Sequence, residues 1–251
     1  MNLKKIRNAL LVTLSLALVA AASVAITFAL GDSKSFGDAE NDFNNAEIKA
    51  SLTEVHWDGE KGKPTDNTED PTVAEADQGK TKAKSYIPGD VIPKDPKVNN
   101  TSEKDINEYV GIKAEYFATI DGTEYQYYTL AQFEAAIAQL CTSSAGAHGI
   151  DSNWEKNSEG THFYCQNIVA QNTGSVPLFT YVKVNTLEGG DTKTYKVKTY
   201  ANKTQAVESP TYVETDSLPS FEIKLYGYAI SADGNASLND DAKDALDKLM
   251  A

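Results

Sequence analysis

The stretch YVGIKAEYFATIDGTEYQYYT, residues 109–129, decides the fold. Val110, Ile112, Ala114, Tyr116, Ala118 and Ile120 recur at every second position, with polar or smaller residues between them. Successive strand side chains point to opposite faces, so this period marks a strand with one face against a core. Asp121-Gly122 then supplies the positive φ values that a tight hairpin turn needs. Directly afterwards the period changes. In TLAQFEAAIAQL, Leu130, Phe133, Ile137 and Leu140 share a helical face. Thr129 and Gln132 make a capping box in front of them. A helix is expected over 129–140.

The alternation continues on both sides of this hairpin. AEIKASLTEVHW (46–57) reads as a half-buried strand, and further strands are expected at 162–169, 178–186, 193–201 and 220–230. PGDVIPKDPKVNN (88–100) also alternates, but Pro88, Pro93 and Pro96 cannot donate ladder hydrogen bonds. They confine the run to an edge or a turn. Gly89 allows the turn, and Asp95 before Pro96 is pushed to an extended conformation. An edge of this kind resists uncontrolled pairing. Between 58 and 85 apolar residues nearly vanish, which reads as a polar, mobile excursion inside one domain, since the preceding strand has no local partner. The C-terminal NDDAKDALDKLM predicts a short helix with Asn239 as N-cap and Ala242, Leu246 and Leu249 on one side. Asp240-Asp241 then sit where they favour the helix dipole. The expected class is all-β dominated. It is an antiparallel jelly-roll-like β-sandwich at 44–251, with short inserted and C-terminal helices.

Lys4, Lys5 and Arg7 precede an apolar run from Ala9 to Leu30, and small residues lie near its exit. This is the pattern of a signal peptide over 1–29, cut between Ala29 and Leu30. The run is also long enough for an uncleaved anchor, which takes about 20 residues. The acidic, polar sequence that follows favours cleavage. Residues 30–43 then form a flexible N-terminal segment with Phe36 and Phe43 as its apolar anchors. The expected location is secreted or at the cell surface, with membrane contact only through the signal segment before cleavage. Losing Lys4, Lys5 and Arg7, and no acid, takes the net charge from −13 to −16. Such a surface repels phosphate backbones, so no nucleic-acid partner is expected.

Reaction chemistry is hard to find. His56, His148 and His162 are the histidines, and none lies in the H-E-x-x-H spacing that lets two imidazoles meet one zinc. No EF-hand loop is present. His162 and Cys165, three apart on a strand, should face opposite ways. No catalytic residue, metal or cofactor is expected. Cys141 and Cys165 in an exported chain suggest a disulfide closing the loop around Trp154. Its loop entropy would contribute about 3 kcal/mol; two buried thiols are the alternative. Trp57, Trp154 and the 13 tyrosines read as core and cross-strand pairs. The Asn-x-Ser/Thr triplets at Asn99, Asn100, Asn202 and Asn235 read as incidental.

Six pieces in order resemble the TasA/camelysin family of exported bacterial proteins. They are TFALGD at the signal exit, FNNAEIKASLTEVHWD (43–58) and PGDVIPKDPKVNNTSEKDINEYVGIKAE (88–115). NWEKNSEGTHFYCQNIV (153–169), GSVPLFTYVKVN (174–185) and FEIKLYGYAISADG (221–234) follow. The resemblance implies a signal cut by an alternate signal peptidase and a jelly-roll sandwich outside the cell wall. For fibre-forming members it implies self-association by strand donation in the biofilm matrix. The chain departs from the family in the excursion 58–85, the two cysteines and the helix at 129–140. The expected function is a non-enzymatic structural subunit of an extracellular matrix or surface fibre. The alternatives are a monomeric adhesin using the loops 58–85 and 141–161, and a camelysin-type metalloprotease.

Overall fold

The structure, a computed structural model, describes residues 48–59, 73–102, 105–188, 194–232 and 237–251. The signal segment, Ala29, Leu30, Phe36 and Phe43 lie outside the described residues. In chain order, β1 (Ala50–Thr53) runs into one helical turn, α1 (Val55–Asp58). A 3₁₀ turn (Glu75–Asp77) and α2 (Gly79–Lys82) precede β2 (Val91–Pro93) and β3 (Lys97–Asn100). The hairpin strands β4 (Glu108–Ile120) and β5 (Thr123–Tyr127) lead to α3 (Leu130–Ala136) and β6 (Ala138–Cys141). Then come β7 (Trp154–Lys156), β8 (His162–Cys165), β9 (Tyr181–Val184), β10 (Tyr195–Thr199) and β11 (Thr211–Thr215). The long β12 (Ser220–Ser231) and α4 (Asp240–Met250) close the chain.

The architecture is the antiparallel, jelly-roll-like β-sandwich that the alternation implies, with short inserted helices and a C-terminal one. β4 is its axis. One edge pairs with β12 along its whole length, from Ser220↔Thr119 to Ser231↔Glu108. The other edge is shared: Tyr116–Ile120 pairs β5, and Gly111–Lys113 pairs β8, which pairs β7. A three-stranded sheet, β2-β9-β6, and two ribbons, β1-β3 and β10-β11, complete the layers. Asp121 (φ 48°) and Gly122 (φ 81°) make the hairpin turn, as the Asp-Gly pair requires.

The core face of β4 carries Val110, Ile112, Ala114, Tyr116, Ala118 and Ile120, all buried with Phe133, Phe163, Phe179 and Leu178. The opposite face is covered at one end by α4. Leu246 and Met250 pack there with Tyr109, Tyr164 and Tyr228. Residues from Glu108 to Ile112 are therefore buried on both faces, and the alternation of exposure begins only at Lys113. The Asn239 side chain accepts the Ala242 N–H at 2.8 Å, so α4 starts at its expected cap. Asp240 and Asp241 occupy the first turn.

Several expected boundaries move. The strand at 46–57 ends at Thr53. Val55–Asp58 instead makes a helical turn, closed by Gly59 in the left-handed region (φ 77°). The helix at 129–140 stops at Ala136, and Leu140 lies on β6, paired with Val182 of β9. Pairing to β9 offers the backbone of 138–141 a ladder that outweighs its helical pattern. Part of the polar excursion lies within the described residues. Residues 73–85 are described as ordered turns, and Gln78 and Gly79 are buried. Pro93 sits on β2, an edge of its sheet, and Pro96 lies in the crossover to β3, which is where missing N–H donors are tolerated.

At the N-terminus of α3 the Thr129 side chain accepts the Gln132 N–H at 3.2 Å. Gln132 is buried and returns its own bonds: Oε1 accepts from Tyr128 N–H, and Nε2 donates to the carbonyls of Asn202 and Gln205. Thr129→Ala should lower stability by about 1 kcal/mol, read as a shifted urea midpoint at unchanged slope.

Candidate functional site

The three histidines are dispersed, each with its own carboxylate. His56 Nδ1 lies 2.7 Å from Asp95 Oδ2, and His148 Nε2 lies 3.0 Å from Glu134 Oε1. His162 Nδ1 lies 2.8 Å from Asp247 Oδ1, an oxygen that also accepts from the Tyr164 hydroxyl. Among the described residues no group of three or more His, Cys, Asp or Glu is placed to hold a metal ion. None of their helices is long and apolar enough to cross a membrane.

One grouping escaped sequence reading because three elements build it. Cys141 at the end of β6 forms a β-bridge with His148, and His148 meets Glu134 of α3. The residue types are those of a nucleophile, a base and an orienting acid. The electrostatics run the other way. Burial pushes the Cys141 thiol up, and its hydrogen bond goes to the Gln139 carbonyl at 3.7 Å. An activated cysteine needs a lowered pKa and a base on its sulfur. Glu134 Oε1 also accepts the Leu140 N–H at 3.1 Å, so this carboxylate ties α3 to β6.

Cys165 lies on β8 beside the core, again with its thiol pushed up by burial. His162 is on the opposite side of that strand, against α4. The expected Cys141–Cys165 bridge is corrected: both are free, buried thiols. This is the alternative of two buried thiols, one on β6 and one on β8, strands of different sheets. Asn99 and Asn100 are buried too, and their amides donate to the Thr53 hydroxyl and to the Ile106 and Val169 carbonyls. Asn235 lies outside the described residues.

A second grouping explains the charged residues between the prolines of 88–100. Lys94 is buried, with Nζ 2.7 and 2.9 Å from the two oxygens of Glu54 and 4.5 Å from the Trp57 ring centroid. Burial raises the Glu54 pKa, and Lys94 pulls it back. Next to it, buried Asp95 accepts the His56 backbone N–H at 2.7 Å. Lys80 of α2 donates to the Asp58 carbonyl at 3.0 Å. Gly79 is needed here because a Cβ would run into the Pro93 carbonyl and the Trp57 ring. These contacts pin both ends of the excursion to the β2–β3 crossover. Their geometry is that of a structural clamp.

A cleft of roughly 200 Å³ opens where the partner of β4 changes from β8 to β5, lined by Lys113, Glu115, Gln126, Tyr128, His162 and Lys203. Two of its basic side chains have partners within the chain. Lys113 Nζ donates to the Ala251 carbonyl at 3.3 Å and lies 3.9 Å from Glu115 Oε1, while His162 meets Asp247. No family model matches the chain, and neither the curated proteins nor the solved structures contain a match to it.

Proposed function

We propose that this chain is a non-enzymatic exported structural protein, a subunit of an extracellular biofilm matrix or bacterial surface fibre. The family resemblance supports this reading, and one structural observation carries it. β12 is twelve residues long and pairs with β4 on one edge; among the described residues no strand pairs with its other edge. An open edge presents a row of backbone donors and acceptors that a strand from another chain can complete.

The N-terminal segment 30–43 is the proposed donor, because it lies shortly before β1 and carries Phe36 and Phe43 as anchors for side-chain pockets. Such a contact is head-to-tail, so it need not close and can grow into a filament. The partners are then further copies of the chain or other matrix proteins, with an alternate signal peptidase acting once during export. Protein from culture supernatant should begin near Leu30 and form filaments at high concentration, whereas a chain starting at Asn44 should stay monomeric. Light scattering and electron microscopy on both decide. Equal assembly with and without 30–43 rules out donation by this segment, and no assembly by either favours the monomeric binding module.

A further inference from the structure

Glu108 is the first residue of β4 and is fully buried. Its backbone is secured on one side by Val169, through reciprocal bonds of 2.9 and 2.8 Å, and its β12 neighbour is Ser231. Its carboxyl is less well provided for. Oε1 accepts the Ser102 hydroxyl at 2.7 Å, while Oε2 is buried with no hydrogen-bond partner among the described residues. Ser102 Oγ in turn accepts the Lys49 backbone N–H at 2.9 Å, and the Lys49 carbonyl accepts Thr101 N–H at 2.8 Å. A carboxyl–hydroxyl–amide chain therefore runs from the buried start of β4 to the residue just before β1. In the sequence, the N-terminal segment ends a few residues before Lys49.

Among the described residues, the groups facing this carboxyl are neutral. β12 presents Ser231, the 169–171 segment presents Val169 and Gln171, and the 100–107 loop presents Asn100 and Ser102, with Asp105 exposed. Lys49 enters through its backbone amide. Burial raises the Glu108 pKa to about 7, against smaller lowering by Ser102 and the Lys49 amide, with no charged side chain among the causes.

We propose that Glu108, Ser102 and the Lys49 amide form a proton-controlled latch on the root of β1. With the proton on, the neutral carboxyl tolerates burial and holds Ser102 over Lys49. With the proton off, a buried anion has one oxygen without a partner among the described residues, and it gains one by admitting water or shifting, which frees the root. A buried carboxyl of raised pKa keeps its proton where the unfolded or opened form has lost it. The latch is therefore strongest at acid pH and weakens as pH rises from about 4.5 through about 7. Its use in assembly rests on the fibre reading; the latch itself does not.

Hydrogen exchange of the mature chain, expressed as protection factors, tests this. Protection of the Lys49 and Thr101 amides should fall about tenfold between pH 6 and pH 8, the increase in opening expected for a group titrating near 7. In Glu108→Gln it should not change with pH, and in Ser102→Ala the Lys49 amide should be unprotected at both. Equal wild-type protection at pH 6 and 8 overturns the latch. Should Glu108→Gln fail to fold, the Glu108 carboxyl can be titrated directly by NMR in the wild type, and a midpoint in the ordinary carboxylate range also overturns it. Filament growth read in parallel separates the two ideas. Loss of protection with no assembly at either pH upholds the latch and sinks the fibre reading.

Discussion

Phe133→Ala should lower the stability of the sandwich by about 3–5 kcal/mol, the range for emptying an aromatic site in a packed core. Phe133 is fully buried and, with Leu130 and Ala136, packs α3 into the core between the sheets. Its ring stacks on Tyr116 at a centroid distance of 5.0 Å and meets Tyr127 and Phe221 edge-on at 5.9 and 6.0 Å. Alanine removes the transfer energy of the ring and leaves a cavity whose walls come from β4, β5 and β12, strands that cannot collapse without breaking their ladders. The aromatic pairs add about 0.5–1.5 kcal/mol each beyond area. A domain is typically stable by only about 5–15 kcal/mol, so the variant should melt well below the parent in equilibrium urea denaturation. Phe133→Leu keeps most of the volume and should lose less than half as much. A loss under about 1 kcal/mol for alanine would mean that α3 does not seat its helix as described.

Lys94→Met should be nearly as damaging, by about 3–5 kcal/mol, for an electrostatic reason. The variant keeps the length of the side chain and much of its packing on Trp57 but removes the cation that meets both Glu54 oxygens. The cation–π contact contributes about 0.5–2 kcal/mol, so the stranded Glu54 carboxylate is the larger effect. Burial already raises the Glu54 pKa, and losing Lys94, its strongest lowering influence, raises it further. The native state then prefers a protonated Glu54. The defect should be greatest at pH 8 and shrink as pH falls through the raised pKa, since a neutral carboxyl needs no counter-ion. Adding Glu54→Gln to Lys94→Met should recover a large part of the loss, measured as a double-mutant cycle at pH 8. Additive losses in that cycle would show that the pair is not coupled.

The parts legible in the sequence are those whose cause is local. The alternation of Val110 to Ile120, the Asp121-Gly122 turn, and the caps at Thr129 and Asn239 each depend on neighbours within a few residues, and each stands where the pattern puts it. The errors fall where a distant partner intervenes. Residues 138–141 carry a helical period, yet β9, some forty residues on, takes them as a strand. Val55–Asp58 continues an alternating pattern, yet Asp95 accepts the His56 amide and Lys94 covers Trp57, and the chain coils into a turn.

The candidate sites divide the same way. Spacing alone shows that no two histidines make the H-E-x-x-H pair, because two ligands on one helix obey a fixed period. Spacing cannot show that Lys94 meets Glu54, that Cys141 neighbours His148 and Glu134, or that Cys141 and Cys165 lie on different sheets. Nor can it show that Glu108 is buried with one oxygen unpartnered among the described residues, since Ser102 meets its other oxygen and α4, more than a hundred residues later, covers the adjoining face of β4. By itself the sequence determined the class of the fold, the central hairpin and the starts of α3 and α4, because backbone propensity and side-chain period act over a few residues. Only the tertiary structure decided which charges are buried, on which strands the two thiols lie and, among the described residues, which edge of β12 no strand pairs. Burial and pairing depend on which distant strands meet.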